Sequence, residues 1–312
     1  MHRKTRLFKL WKCSFLHGLA VGDTICTEFL NVIETATAST RVLTFNYTEM
    51  LKIMTRTIVQ IYEIQTPDEA RDMIGLGVDH IGSVIASCDD RHDPVIRETI
   101  AVVRKLKAVS SLIPLFSNPD AVFDTLDYYR PDIVHFCDRL DGYGGSSVDA
   151  ALQLQASVKR RFPNIRIMRS IPIGQTAVAN SDAVLALAAR LEPQSDYFLT
   201  DTEISGESGA ADEDQPVVGF VGITGLVCDW ATAAQLVARS RIPVILAGGI
   251  SPENVSDGIR RVRPFGVDSC TCTNAVDQNR RPIRFKKDLA RVKALVAETH
   301  RADGMAAAGN RT

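Results

Sequence analysis

The sequence predicts an α/β protein of the (β/α)8 TIM-barrel class, folded as a single domain behind a poorly structured N-terminal extension. Apolar runs typical of buried strands alternate with helical segments, and this alternation repeats eight times between residues 54 and 300. That length suits one barrel of roughly 250 residues, and the alternation favours parallel strands joined by right-handed crossovers. A doubly wound open sheet is the alternative, but no Gly-x-Gly-x-x-Gly motif follows the first strand, and eight units favour closure.

The predicted strands are short runs rich in β-branched and aromatic residues, as expected of a sheet that is buried on both faces. In chain order they are TIVQIYEI, VDHIGSVI, VSSLIPLF, PDIVHFC, IRIMRSIPI, SDYFLTD, IPVILAGG and FGVDSC. Several of the helical segments open with Thr, Asp, Asn or Ser followed by Pro, a pattern typical of an N-cap and a first helical residue. In chain order these segments are TPDEARDMIGLG, DPVIRETIAVVRKLKA, NPDAVFDTLDYYR, VDAALQLQASVKRRF, SDAVLALAARL, DWATAAQLVARS, SPENVSDGIRRV and RFKKDLARVKALVAETH.

Residues 1–53 and 301–312 are predicted to lie outside the barrel domain of residues 54–300. The start, HRKTRLFKLWKCSFLHGLAVG, is basic with a short apolar part, which weakly resembles a targeting segment but lacks a clean apolar core. A disordered extension, or an over-extended start upstream of Met54, is the favoured interpretation. The end of the chain, ADGMAAAGNRT, is small and polar and predicts a flexible tail.

The composition gives no support for a nucleic-acid or membrane partner. The net charge of -1 gives no argument for binding to nucleic acid or to a membrane surface, and no apolar run has the length that spans a bilayer. Seven cysteines, odd in number and scattered, indicate the reduced thiols of a cytoplasmic protein. We therefore expect a small-molecule partner, while the oligomeric state stays open.

In barrels of this class the functional residues lie at the carboxyl ends of the strands. The strand-end positions to consider are Tyr62, Glu63, Arg91, His135, Cys137, Asp201, Gly248, Gly249 and the segment from Asp268 to Cys272.

The stretch LAGGISPENV ends the seventh predicted strand in two glycines and then opens a helix. Ser251 suits the N-cap and Pro252 the first helical position. Gly248 and Gly249 would let a ligand approach the main chain, and the free N–H groups of a helix start favour an anion. Because such barrels often hold phosphate after strands seven and eight, we predict a phosphate site here; a tight turn is the alternative.

Three other strand ends carry groups suited to a substrate. Asp201 ends DYFLTD, where partial burial would raise its pKa and suit it to general-acid catalysis; a helix cap or a salt bridge is the alternative. Thr224 and Gly225 lie in the glycine-bearing loop GITGLVCDW and are predicted to contact the substrate, unless this loop is only a flexible lid. Arg91, after the second strand, could hold a substrate carboxylate through two parallel hydrogen bonds.

No metal site is predicted. The pair Cys270 and Cys272 is a lone Cys-x-Cys without a second cluster at zinc spacing. His135 and Cys137 share one face of the fourth strand, and packing is their predicted role. Acidic residues are common in loops and at helix starts, which also accounts for the potential ligands around Arg91. These are Asp89, Asp90, His92 and Asp93.

Together these segments resemble the phosphoribosylanthranilate isomerase family, from about Val59 to about Val296. The likeness is strongest in PVILAGGISPENV with the following PFGVD, and extends to GITGLVCDW, DYFLTDT, GVDHIGSVI and PLFSNPD. The resemblance implies a cofactor-free Amadori rearrangement of a phosphorylated aminosugar, which requires only an acid and a base. It implies that Asp201 is the general acid on the ribose ring oxygen and that Arg91 holds the anthranilate carboxylate. Gly248 and Gly249, with the loop after strand eight, would hold the phosphate.

The first strand departs from the family pattern. The family has Val-Lys-Ile-Cys-Gly-Ile, with the cysteine as general base, whereas this chain has VQIYEI. Tyr62 therefore stands at the cysteine, Glu63 at the glycine and Gln60 at the lysine. A tyrosine phenol, with an ordinary pKa near 10, is a poor base at neutral pH. Glu63 could serve if the strand end bulges, although strand alternation directs it away if Tyr62 faces the mouth.

The loop after strand eight departs as well. The family has Asp, one residue and then Ser-Ser-Gly, where this chain has VDSCTCTN. Thr271 keeps one hydroxyl and is predicted to join the phosphate site. Cys272 replaces the glycine, and its side chain would crowd a phosphate that approaches the backbone.

Three functions are compatible with these residues. The first is an isomerase acting on phosphoribosylanthranilate or a related phosphorylated aminosugar. The second is a diverged barrel that binds a phosphorylated ligand or a partner protein without this chemistry, as the missing cysteine and the altered loop after strand eight would allow. The third is another cofactor-free phosphosugar isomerase or epimerase, with Glu63 and Asp201 as the acid/base pair.

Overall fold

The computed structural model describes residues 56–140, 145–176, 181–204 and 219–309, with side chains as far as residue 304. The chain divides into the units Met1–Arg56 and Thr57–Thr312. The predicted extension, residues 1–53, lies outside the described residues, as do residues 310–312 of the predicted tail. The division into extension, barrel and tail stays a prediction.

Eight parallel strands close into a barrel in strict chain order, which confirms the predicted fold class. The strands are β1 (Ile58–Ile61), β2 (His80–Ile85), β3 (Val109–Pro114), β4 (Ile133–Phe136), β5 (Arg166–Gly174), β6 (Tyr197–Glu203), β7 (Val244–Leu246) and β8 (Gly266–Ser269). The barrel closes where β1 pairs with β8, in a register that places Gln60 opposite Asp268. Every strand is almost wholly buried, because helices cover the outer face of the sheet.

In the described part of the chain, eight α-helices accompany these strands. They are α1 (Pro67–Gly75), α2 (Pro94–Lys105), α3 (Pro119–Tyr129), α4 (Ser146–Arg161), α5 (Ser181–Leu191), α6 (Trp230–Arg239), α7 (Val255–Val262) and α8 (Leu289–Gly309). The predicted capping signals are used: Thr66 and Glu69 form a capping box on α1, and Asp93 and Asn118 cap α2 and α3 through their side chains. Proline occupies the start of all three of these helices.

Two helices near the carboxyl end of the chain begin later than the sequence predicts. Helix α7 begins at Val255, because Ser251 and Asn254 first form a separate turn: the Asn254 side chain accepts from the Ser251 N–H at 2.9 Å and donates to the Gly249 carbonyl at 2.8 Å. Helix α8 begins at Leu289 and continues to Gly309, beyond the predicted boundary at residue 300.

The segment before α8 is a strand where the sequence predicted helix. Strands β9 (Asn274–Val276) and β10 (Pro282–Lys287) form a two-stranded antiparallel hairpin between β8 and α8. The prediction of helix from residue 284 was therefore wrong over its first residues. Pairing with β9 supplies the backbone hydrogen bonds that a first helical turn would otherwise need.

The barrel interior combines apolar packing with a set of buried polar groups. Tyr62, Met168 and Leu199 belong to one buried apolar cluster inside the sheet. Gln60 and His80 are buried beside it and hydrogen-bond to each other at 3.2 Å. In the part of the chain that the structure describes, no helix has the length and apolar character needed to cross a bilayer.

Candidate active site

A cavity opens at the carboxyl ends of the barrel strands, where the fold class predicts the site. Its wall includes Asp201 from the end of β6 and Asp268 from β8. Backbone segments complete it: residues 222–225 after β6, residues 248–250 after β7 and residues 269–272 after β8. The structure thus brings most of the predicted site residues together: Tyr62, Glu63, Asp201, Thr224, Gly225, Gly248, Gly249 and Thr271.

Asp201 carries a carboxyl that burial has made unusually basic. Burial raises its pKa to about 7, although the Thr202 N–H, which donates to Oδ1 at 2.9 Å, opposes the shift. At neutral pH a large fraction of this carboxyl therefore holds a proton that it could transfer. Such a pKa, near the working pH, is what a general acid needs.

Gly222 allows this carboxyl to sit where it does. A Cβ added to Gly222 would lie 2.2 Å from the Asp201 Oδ2 atom, and the backbone at Gly222 has a φ of +107°. A side chain here would force the carboxyl to move, and the positive φ is a conformation that residues other than glycine rarely adopt. The glycine-bearing loop is thus packed directly against the predicted acid.

The glycines after β7 also make close backbone contacts. Gly248 and Gly249 have φ values of +86° and +62°, and a Cβ on Gly249 would lie 2.6 Å from the Leu226 carbonyl carbon. The tight turn that was the alternative interpretation is therefore real. The same conformation leaves the N–H groups of both glycines without an acceptor among the described residues, as an anion site would require.

The loops after β6 and β8 hold each other. The Thr271 hydroxyl donates to the Ile223 carbonyl at 3.2 Å, and the Cys272 thiol lies 3.8 Å from the Gly225 carbonyl oxygen. The side chain of Cys272, which stands at the family's glycine, thus packs against this neighbouring loop. Thr224 accepts a hydrogen bond from the Leu226 N–H at 3.2 Å, within its own loop.

Tyr62 lies on the cavity wall but is tied into a buried hydrogen-bond chain. Its hydroxyl lies 2.6 Å from the Ser111 Oγ atom and 2.8 Å from Nδ1 of His135, whose Nε2 atom lies 2.8 Å from Ser170 Oγ. Burial, reinforced by the negative charge of Asp268, raises the pKa of Tyr62 well above 10. The phenol therefore stays protonated at neutral pH, and the geometry does not support it as a base.

His135 cannot supply that base either. Burial, with the positive charge of Arg169, lowers the pKa of His135 to about 3. Both of its ring nitrogens already lie within hydrogen-bond distance of protein hydroxyls. The predicted packing role of this residue agrees with its position.

Glu63 faces the hairpin β9–β10 and is fully engaged there. Its carboxylate accepts from Nε of Arg284 at 2.7 Å and from the Phe285 N–H at 3.1 Å. Burial alone would raise the pKa of Glu63, but the Phe285 hydrogen bond and the charges of Arg284 and Lys287 lower it below its usual value. This arrangement favours a structural role over the catalytic role that the sequence allowed.

We expect the substitution Glu63→Gln to lower the free energy of unfolding by about 1–3 kcal/mol at pH 7, because it removes a buried charge partner of Arg284. A carboxylate with a lowered folded-state pKa stabilises the fold above its unfolded pKa and loses that effect as the pH falls. The difference in unfolding free energy between variant and wild type should therefore shrink only as the pH falls below 4.5, through the lowered folded-state pKa, which denaturant unfolding at pH 7 and at about pH 3 would measure. A loss of turnover without any loss of stability would contradict this structural role.

Arg91 is held away from the cavity. Its Nε atom donates to Asp124 at 2.6 Å and one terminal nitrogen donates to the Cys88 carbonyl at 2.9 Å. Arg91 does not contribute to the described cavity wall. Its predicted role in holding a substrate carboxylate stays a prediction.

Asp268 is the residue to which sequence reasoning gave no role. It is 6% exposed, it lines the same cavity as Asp201, and Nε2 of Gln60 donates to its Oδ1 atom at 3.1 Å. Burial raises its pKa to about 7; Gln60 and Lys287 oppose the shift, while the negative charge of Asp201 adds to it. Its place at the end of FGVD was the available signal, because this segment ends a barrel strand.

In the described residues, no group of three or more His, Cys, Asp or Glu side chains is arranged to hold a metal ion. Two of the potential ligands around Arg91 instead contact groups of the protein; these potential ligands are Asp89, Asp90, His92 and Asp93. Asp93 caps α2, and His92 lies 3.0 Å from an Asp124 oxygen.

Known proteins share both sequence and fold with this chain. The family described as N-(5'phosphoribosyl)anthranilate (PRA) isomerase matches residues 153–274. A protein of Methanocella arvoryzae named N-(5'-phosphoribosyl)anthranilate isomerase is 26% identical over 254 residues, covering 78% of this chain and 98% of its own length. One of the same name from Bordetella avium is 25% identical, covering 78% of this chain and 99% of its own length. The chain is thus similar to phosphoribosylanthranilate isomerases over most of their length.

Solved structures share the fold of this chain. The phosphoribosylanthranilate isomerase of Thermotoga maritima has a TM-score of 0.55 and 19% identity, and the match covers 78% of this chain and 98% of that one. A second structure of such an enzyme, in complex with reduced 1-(o-carboxyphenylamino)-1-deoxyribulose 5-phosphate, has a TM-score of 0.54 and 18% identity, with coverage of 78% and 98%. Tyr62 stands where the resemblance described above expects the family's cysteine.

Proposed function

We propose that this chain isomerises N-(5'-phosphoribosyl)anthranilate by an Amadori rearrangement, the step of tryptophan biosynthesis for which its relatives are named. One observation carries the proposal: the family's expected acid, Asp201, is a half-buried carboxyl with a pKa of about 7, at the carboxyl-end mouth of a closed barrel. An acid of this kind can protonate the ring oxygen of the sugar at neutral pH.

The chemistry that follows needs little beyond an acid, a base and a fixed substrate. Proton transfer to the ring oxygen breaks the bond between that oxygen and C1 of the sugar, while the amine nitrogen forms a double bond to C1. Removal of the C2 proton then yields an enolamine, which becomes the ketone by moving one proton to C1. All of these are proton transfers, so no cofactor is required.

The phosphate would anchor the substrate against the turn after β7. The N–H groups of Gly248 and Gly249 supply donors, and two loops border the same cavity, one with Thr224 and Gly225 and the other with Thr271. Backbone donors hold an anion without adding a titrating charge next to Asp201. This arrangement would fix the sugar with its ring close to the acid.

The test is turnover of freshly prepared phosphoribosylanthranilate by the purified full chain, followed by the decay of anthranilate-type fluorescence. We expect decay faster than the spontaneous rate, saturable in substrate and competed by inorganic phosphate. The same protein heated until unfolded is the control. Decay at the spontaneous rate would contradict the proposal and would favour a barrel that binds a phosphorylated ligand without this chemistry.

A further inference from the structure

Replacement of the family cysteine by Tyr62 leaves the reaction without an evident base. The Tyr62 phenol is protonated and hydrogen-bonded, and Glu63 is paired with Arg284. The nearby thiols do not replace the lost one, since burial raises the pKa of Cys137 and of Cys270. A base must therefore come from another group that borders the cavity.

Asp268 meets the geometric conditions for that group. It lies on the wall of the cavity that Asp201 also lines, and its strand, β8, is separated from β6 by β7 alone. Alternate strands of such a barrel direct side chains into a common layer of the interior. The two carboxyls can thus approach one bound sugar from different strands.

The surroundings of the two carboxyls divide the roles between them. Asp268 accepts from Gln60 at 3.1 Å and is stabilised as an anion by the charge of Lys287. The Asp201 carboxyl accepts the Thr202 N–H, and no cation among the described residues contributes to its pKa shift. Our scheme places the single proton of the pair on Asp201, because Gln60 and the charge of Lys287 stabilise the anion of Asp268. A neutral Asp201 in turn removes the repulsion that disfavours an ionised Asp268.

We propose that Asp268 is the catalytic base of this chain, a role that rests on the proposed isomerase function. The Asp201 proton goes to the ring oxygen, and the bond from that oxygen to C1 breaks. The Asp268 carboxylate then takes the C2 proton; the C2–H electrons form the C1–C2 double bond, and the electrons of the C1–N double bond return to nitrogen. Finally Asp268 gives its proton to C1, while the C2 hydroxyl proton returns to Asp201 as the ketone forms.

At the end of this cycle both carboxyls hold the protons with which they began. No oxidant, reductant or second substrate enters, so the net change is an isomerisation. Gln60 is a positioning residue in this scheme, since it contacts Asp268 and not the sugar.

The test compares Asp268→Asn with the wild type and with Asp201→Asn, using phosphoribosylanthranilate that carries hydrogen or deuterium at C2 of the ribose. We expect Asp268→Asn to lower kcat by about a hundredfold or more, with KM changed much less, because general-base catalysis is typically worth that factor. The exposed variant Asp149→Asn, which carries the same chemical change far from the barrel interior, controls for the loss of one charge. A melting temperature no lower than that of the wild type shows that the fold is kept.

The isotope effect separates a base from a merely structural carboxyl. Slower proton removal makes the C2–H step rate-limiting, so Asp268→Asn should show a larger deuterium effect on kcat than the wild type. Asp201→Asn slows ring opening instead and should show a smaller one. An Asp268→Asn variant with more than a tenth of wild-type kcat, or with an unchanged isotope effect, overturns the assignment. A wild type without turnover would contradict the proposed function itself, and this role with it.

Discussion

Asp201→Asn is expected to lower kcat/KM for phosphoribosylanthranilate by about a thousandfold, within the range that a lost general acid typically costs. Asparagine keeps the size of the side chain and can accept the Thr202 N–H, so the cavity should keep its shape. What it lacks is the proton for the sugar ring oxygen. Steady-state fluorescence assays of both proteins at pH 7 measure the difference.

As the pH rises, the Asp201→Asn variant should become more stable relative to the wild type. The folded-state pKa of Asp201 is raised to about 7, so stability is lost as the pH rises from the unfolded value of 3.8 through 7. Asparagine does not titrate, and the variant should gain on the wild type over that window, by up to about 4 kcal/mol. The measurement is the unfolding free energy of both proteins at pH 5 and pH 8.5. A difference between variant and wild type that is the same at both pH values would show that the pKa of Asp201 is not raised.

Only part of the site could be predicted from the sequence. The strand-end rule finds Asp201, Gly248 and Gly249, because strand position alone places them at the mouth of a barrel. The same rule includes Asp268, yet no local pattern shows that its carboxyl shares a cavity with one on β6. That proximity comes from the order of the strands in the sheet, and burial at the mouth of the barrel raises both pKa values.

The partners of Glu63 and Arg91 could not be predicted from the sequence for a similar reason. Each is satisfied by a partner distant in sequence, Glu63 by Arg284 and Arg91 by Asp124. The hairpin β9–β10 that supplies Arg284 was predicted in part as helix, so the pairing was invisible. By contrast, element order and fold class follow from hydrophobic pattern and caps, which act over short distances in the chain.

Gly222→Ala is the second change with a large expected effect, about a hundredfold lower kcat/KM. The new Cβ would lie 2.2 Å from Oδ2 of Asp201, so either the carboxyl or the loop must move. A displacement of about 1 Å at a reacting group costs roughly this factor in rate. The measurement is again turnover of phosphoribosylanthranilate, with KM and kcat determined separately.

Gly219→Ala is the matched control, since Gly219 lies in the same loop, also has a positive φ of +80° and has no atom within 4 Å of an added Cβ. It carries the backbone strain of alanine at positive φ without the contact to Asp201. If Gly222 acts through the acid, Gly222→Ala should cost little more activity in an Asp201→Asn background, because the two changes then remove the same function. Equal losses in the two glycine variants, or fully additive losses in the double variant, would mean that the loop contributes in a way unrelated to Asp201.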